Sequence, residues 1–353
     1  MPASSLSARI VPVLFALALS AAGGGIATFG GMPGGWLMGG AVAVTLAAMA
    51  GLAVEFPNWL RDVAFVLIGM SMGASVDPNS LQLLASWPVS IAALLIETAV
   101  IIWLTGWMLV KLFKLDAGTA YLSSFPGHLS LILGIAASGV GNARQILVIQ
   151  VFRVLVLIIC VPIGALLLPG EHLPAPASRD WLTVWELLAI AAGCVAVGLV
   201  FRKLKVPASF VLGSMAAATA AKLAGLYTAD MPGPLMTITF ILTGALIGSR
   251  FVGVTRSELF GAVRGGLVAT GLMVCIVTAT SYAVSELVDL PFGQVWLGLA
   301  PGALEGMGAL GIALGYDTAF IAGHHVIRLL ALAFAIPAAV VWIRRREAAI
   351  ITQ

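Results

Sequence analysis

The sequence predicts an all-α polytopic membrane protein of two inverted repeats, with about ten transmembrane helices and two broken or re-entrant helical hairpins. Three observations predict this. The chain is 61% hydrophobic and only 9% charged over 353 residues, with 40 glycines and a mean hydropathy of +1.09, whereas soluble domains carry roughly 25% charged residues. Apolar segments of spanning length recur along it. The second half also repeats the first at a spacing of about 175 residues.

Pairing each residue with the one 175 positions on gives ungapped identities at Gly118/Gly293, Leu122/Leu297, Pro126/Pro301, Gly127/Gly302, Leu129/Leu304, Ile146/Ile321, Val151/Val326 and Arg153/Arg328. Apolar composition alone would not bring Pro, Gly and Arg into register inside membrane segments. Gly69 and Gly73 match Gly244 and Gly248 at the same offset, and Pro33 matches Pro207 after a one-residue shift. The chain therefore divides into a first membrane repeat at 1–168, a connecting loop at 169–182 and a second repeat at 183–353.

In order, the first repeat offers apolar segments at about 10–30, 34–54, 63–76, 86–110, a broken one at 117–141, and 145–168. The second offers 183–201, 207–227, 234–249, 265–285, the broken 292–315, and 320–343. The opening run could be read as a cleavable secretory signal, but it continues uncharged through Phe29 and Gly30, long enough to span. If the broken segments cross, each half has six spans and the halves are parallel; if they re-enter, each has five and the halves are inverted. With Arg9 inside and re-entrant hairpins, Arg61, Lys111, Lys114, Arg144, Arg202, Lys203, Lys205, Arg250, Arg256, Arg264 and Arg344–Arg346 share the cytoplasmic side, leaving Arg179 and Lys222 outside. The six-span alternative exports the 202–205 and 250–264 clusters, so the positive-inside rule favours ten crossings.

Net charge is +3, with 18 basic against 15 acidic residues, and the basic ones sit in short loops rather than along one face. Nucleic acid is thus excluded as a partner. The longest strongly polar stretch, Gly170–Asp180, is too small for a soluble catalytic or DNA-binding domain. Cys160, Cys194 and Cys275 lie in apolar runs without a CxxC and read as small core residues. No phosphate-binding GxxxxGK[ST] occurs.

The chemistry is expected at the broken segments, FPGHLSLILGIAASGVGN (125–142) and APGALEGMGALGIALGYD (300–317). Pro126 and Pro301, each followed by Gly, interrupt the helical ladder, and in lipid such backbone survives only inside protein or along a cavity. Helices restarting at Gly127 and Gly302 would aim unsatisfied N–H groups at whatever lies before them, and paired breaks at equivalent repeat positions point to a midplane transporter site. The alternative is that glycine serves close packing, as in GMSMG and GALIG.

Arg153 and Arg328 lie well inside their helices. An arginine at a membrane helix centre costs about 2.5–3.5 kcal/mol, so each needs a partner. Gln150 stands three residues before Arg153, and His325 three before Arg328, on the same helix faces. Two readings remain open: a clamp for an anion or carboxylate, or a tie for loose carbonyls of the neighbouring break. Glu305, the one acid in either hairpin motif, is a candidate proton-coupling site or a fixed partner for Arg328; Glu97, alone in IAALLIETAVIIWL, is the other candidate for proton coupling. His128, His324 and His325 flank the breaks and His172 lies in the connecting loop, without metal-ligand spacing, so they read as hydrogen-bonded fillers. Asn142 and Asp317 close the hairpins as turn or cap residues.

These paired motifs, FPGHLSLILGIAASGVGNARQILVIQVFRVLVLIICVP (125–162) and APGALEGMGALGIALGYDTAFIAGHHVIRLLALAFAIP (300–337), with PGGWLMGG and VPASFVLGSM opening the halves, resemble the membrane AbrB family of bacteria. The resemblance covers nearly the whole chain. It implies a duplicated integral membrane protein whose relatives carry labels as regulators of gene expression or ammonia monooxygenases. A monooxygenase needs a metal or organic cofactor, and no ligand cluster or dinucleotide fingerprint is visible. Direct transcriptional regulation needs a DNA-reading element, and no loop is large enough. His128 and Ser130 stand where the second half has Ala303 and Glu305, so the hairpins are not expected to be equivalent.

The leading expectation is a secondary transporter of the bacterial inner membrane, both termini cytoplasmic, without enzymatic activity, metal or cofactor. Its substrate is a small solute, anionic as the helix N-termini and the two arginines favour, bound by Gly127, His128, Arg153, Gly302, Glu305, His325 and Arg328. The alternative is a membrane sensor that binds a small-molecule ligand and regulates gene expression indirectly. The lipid bilayer is the expected surrounding, and self-association into a homo-oligomer is left open.

Overall fold

The computed structural model describes residues 6–76, 87–127, 129–167 and 181–351. Among them the chain is helical, without a strand. The first half runs α1 (Leu6–Phe29), α2 (Gly35–Met49), α3 (Asn58–Ala74), α4 (Trp87–Phe113), α5 (Ala117–Ser124), α6 (Leu129–Ala137) and α7 (Ala143–Leu167). The second repeats the series as α8 (Val184–Lys203), α9 (Ser209–Leu223), α10 (Gly233–Ser249), α11 (Arg256–Val288), α12 (Phe292–Leu299), α13 (Leu304–Leu314) and α14 (Thr318–Ile351). Helices α5, α6 and α7 begin at 117, 129 and 143, and α12, α13 and α14 at 292, 304 and 318, the register of the paired motifs. The protein is an all-α polytopic membrane protein.

Local chemistry starts the helices where the sequence changes character. Thr183 and Thr255 open α8 and α11 with reciprocal capping boxes to Glu186 and Glu258. The Asp116 carboxylate accepts from the Thr119 N–H at 2.8 Å to cap α5, and Asn142 and Asp317 accept from the first N–H groups of α7 and α14.

Among the described residues six helices are long and apolar enough to cross a bilayer: those containing Ile10–Phe29, Trp87–Phe113, Ala143–Gly164, Val184–Lys203, Arg264–Val288 and Thr318–Arg344. The other four expected crossings, α2, α3, α9 and α10, have only 15–17 residues. At 1.5 Å per residue they reach about 23–26 Å, short of the roughly 30 Å hydrocarbon core.

Two compact units group the segments differently from the repeats. One is Met1–Gln82, Ile158–Gly253 and Leu304–Ile321; the other is Leu83–Leu157, Val254–Ala303 and Ala322–Gln353. Each unit draws on both halves, so the repeats give the order of the elements and not the packed bodies.

In the first unit the short helices pack backbone to backbone, across the halves. A Cβ on Gly69 would lie 2.3 Å from the Val211 carbonyl oxygen, and one on Gly73 2.6 Å from that of Met215, fixing α3 on α9. The matching Gly244 and Gly248 seat α10 on α2, at 2.9 Å from Leu37 O and 2.6 Å from Val44 Cβ. These GxxxG pairs are packing surfaces. The second unit packs α4 against α5 and α11, and α11 against α12, over a core of Tyr121, Leu122, Phe125, Ile132, Ile146, Leu332 and Ile336.

Two expectations need correction. The interrupted helices do not resume at the glycines: α6 begins at Leu129 and α13 at Leu304. Gly127 has φ +104, outside any helical turn, and the Gly302 N–H folds back to the Ala300 carbonyl at 2.8 Å. The cysteines are also not all core residues. Cys194 is buried and donates to the Ser214 carbonyl at 3.3 Å, but Cys160 and Cys275 lie on exposed helix surfaces, where an apolar run meets lipid as readily as a core.

Candidate functional site

Both Pro-Gly breaks, Phe125-Pro126-Gly127 and Ala300-Pro301-Gly302, fall in the second unit. A broken helix leaves carbonyls without i+4 donors, and in a membrane interior something must replace them. The following helix of each half supplies the replacement through its buried arginine.

In the first half the Arg153 guanidinium on α7 donates through Nη1 to Phe125 O at 3.3 Å and through Nη2 to Gln150 Oε1 at 3.1 Å. Gln150 in turn donates through Nε2 to Leu122 O at 3.0 Å. In the second half Arg328 on α14 donates through Nη1 to Leu299 O at 3.0 Å and Ala300 O at 2.6 Å, and through Nη2 to Gly302 O at 3.4 Å. Nη2 also meets His325 Nδ1 at 2.7 Å, and His325 Nε2 meets Leu297 O at 3.0 Å.

The equivalences are residue for residue: Leu122 with Leu297, Phe125 with Ala300, Gln150 with His325, Arg153 with Arg328. Because Arg328 can only donate, His325 Nδ1 must accept; because Leu297 O can only accept, Nε2 must carry the proton. His325 is therefore held as the neutral Nε2–H tautomer and does the work of an amide: acceptor at one end, donor at the other. That geometry fills the tie role for His325 and most of Arg328.

The donor count separates the halves. A guanidinium has five N–H groups. Arg328 commits four to carbonyls and His325; among the described residues Arg153 engages Phe125 O and Gln150 Oε1, and in both arginines Nε has no partner. Both arginines are buried, at 3% and 2% exposure. Among the described residues the fewer ties are those of Arg153.

The first break lies against α14, the helix whose arginine ties the second. A Cβ on Gly127 would lie 3.1 Å from Leu329 Cδ2, beside Arg328 on α14, and the charge of Arg328 bears on Arg153. Glu97 on α4, 3% exposed, lies in the field of Arg328; neither carboxylate oxygen has a hydrogen-bond partner. His324, fully buried, hydrogen-bonds Ser90 Oγ through Nε2 at 2.7 Å and packs on the Trp87 ring, as a hydrogen-bonded filler does.

The structure thus brings together Gly127, Arg153, Gly302, His325, Arg328 and Glu97. Glu305 makes a different ion pair. It belongs to the first unit, in the opening turn of α13, where its carboxylate is paired with Arg250 at the C-terminus of α10. That pairing replaces the expected one with Arg328. The two residues are 55 positions apart, and no helical spacing announces such a pair. His128 lies outside the described residues. Also illegible in the sequence were the acceptors of the arginines, since every residue carries a carbonyl and only the break frees these.

Comparison with known proteins agrees with this architecture. The family described as "Transition state regulatory protein AbrB" matches residues 36–344. The chain is similar to "Uncharacterized protein YhjN" of Bacillus subtilis (strain 168), 27% identical over 357 aligned residues that cover 90% of this chain and 89% of that protein. It is also similar to "Putative regulator AbrB" of Escherichia coli (strain K12), 23% identical over 320 residues covering 87% of this chain and 89% of the relative. Spanning nearly all of its membrane helices, the match makes this chain a member of the AbrB family.

Proposed function

We propose that the protein is a secondary transporter of a small anion, bound at its Pro-Gly breaks. The observation that carries this reading is the buried Arg153, whose Nε has no partner and whose other donors engage, among the described residues, Phe125 O and Gln150 Oε1 beside an interrupted helix. A charge buried in a membrane protein at the cost of several kcal/mol, with an N–H donor left unpartnered, is placed for a ligand that supplies the missing acceptor. Gly127 and Gly302 keep side chains away from the two breaks, and Arg328 with His325 holds the second break rigid. The protein catalyses no covalent chemistry in this reading and needs no cofactor. It resides in the inner membrane with both termini in the cytoplasm, as the basic loops indicate.

The test is uptake of labelled lactate, succinate, glutamate and sulfate into proteoliposomes under an imposed gradient, for wild type and Arg153→Gln. Saturable uptake of one anion by the wild type, reduced at least about tenfold in a folded Arg153→Gln protein, is the expected result. The regulator name of the Escherichia coli relative favours a second reading, a ligand sensor. Saturable binding of an anion without flux would select it, and neither binding nor flux would refute the anion site.

A further inference from the structure

Resting on the transport reading, we propose that Glu97 exchanges a proton with the medium in the folded protein and so supplies the coupling ion of the carrier. Of the two acids singled out in the sequence, Glu305 is already neutralised by Arg250. Glu97 is not paired: it is buried in the middle of α4 with both oxygens lacking hydrogen-bond partners.

The groups around it explain why it stays unpaired. From α14, Arg328 is the charge that bears on Glu97, but its terminal nitrogens are committed to Leu299, Ala300, Gly302 and His325. From α11, Thr280 lies nearby, and its hydroxyl donates to Ile276 O at 3.0 Å. Helix α5, also packed on α4, carries no charged residue and only Tyr121 as a titratable one. Glu97 is thus a buried carboxyl near a cation whose terminal donors are engaged elsewhere. The Thr280 hydroxyl also bears on the carboxyl as a hydrogen-bonding group, while the ties of Arg328 to the second break do not involve Glu97, so a proton can be gained or lost without breaking them.

Charge balance connects this proton to an anion. With Glu97 ionised, the set Arg153, Arg328 and Glu97 carries a net charge of one; protonation raises it to two and strengthens the attraction for an anion at Arg153. By reciprocity the anion strengthens proton binding at Glu97. Both then cross together, which is symport.

The experiment is a pH-difference infrared titration of the full-length protein in lipid, wild type against Glu97→Gln, repeated with the four anions. A protonated-carboxyl C=O band that titrates in the wild type and is missing in Glu97→Gln supports the proposal. Absence of a Glu97-dependent band anywhere between pH 4 and pH 9, a window bracketing the ordinary carboxylate range and neutrality, overturns it. Should Glu97→Gln fail to fold, Glu97→Asp serves in its place, with a displaced titration of the same band expected and an unchanged one contrary. The outcome for transport is separate. If an anion is taken up but proton entry, followed with an internal pH dye, is unchanged in a folded Glu97 variant, the coupling inference falls while the carrier reading stands. If no anion is taken up, the carrier reading falls, and the coupling role falls with it.

Discussion

At the residue scale, the equivalence of Gln150 and His325 is the most informative detail. The side chains share neither size nor acidity, yet each accepts from an arginine three residues on and donates to a leucine carbonyl freed by a helix break. A role defined by one acceptor and one donor at opposite ends predicts which replacements survive. His325→Gln should unfold within about 1 kcal/mol of wild type, since both bonds can be remade, whereas His325→Leu leaves a buried carbonyl and an arginine N–H unpaired at about 1–3 kcal/mol each. Thermal unfolding in detergent measures the difference; equal losses in both variants would show that ring packing, not hydrogen bonding, sets the requirement. The sequence displayed the arginines and their i, i+3 neighbours, because charge inside an apolar run is conspicuous. It could not display which donors were already taken.

At the element scale, the short helices and the broken helices solve opposite problems. Helices α2, α3, α9 and α10 approach so closely that the glycine Cα faces a neighbouring main chain, and their seams join one half to the other. Gly69→Leu places a side chain where a Cβ would lie 2.3 Å from Val211 O, and should cost at least about 1–3 kcal/mol by overpacking. Gly134, in α6, has nothing within 4 Å of its Cβ position, so Gly134→Ala should be neutral or stabilising by about 0.5–1 kcal/mol. Unfolding curves for the pair separate close packing from mere glycine content. The broken helices keep their interruptions because Arg153 and Arg328 replace the lost ladder donors. The glycine patterns were legible as spacing, but their partners were not: α3 seats on α9 of the other half, a pairing that no local periodicity encodes.

For the whole molecule, the repeat explains why the chain folds as interleaved units. Each unit assembles elements from both halves, and the GxxxG seams of Gly69/Gly73 and Gly244/Gly248 are buried against the opposite half. The expected topology follows from the basic loops and is open to a direct check. Single cysteines placed at Lys203 and Ser257, in a background without Cys160, Cys194 and Cys275, should react with a membrane-impermeant maleimide only from the cytoplasmic side. Labelling from the outer side would restore six spans per half and parallel repeats.

What the sequence determined by itself was the class of fold, the duplication and the location of the breaks. These are one-dimensional properties: hydropathy over a window, self-similarity at a fixed offset, and Pro-Gly in a run that is otherwise helical. The tertiary structure decided how the buried charges are used. It tied Arg328 to carbonyls of the second break, gave Glu305 to Arg250, and, among the described residues, left the Glu97 carboxylate and Arg153 Nε without hydrogen-bond partners. A hydrogen bond depends on distance and direction between groups far apart in the chain, and neither is set until the helices have packed.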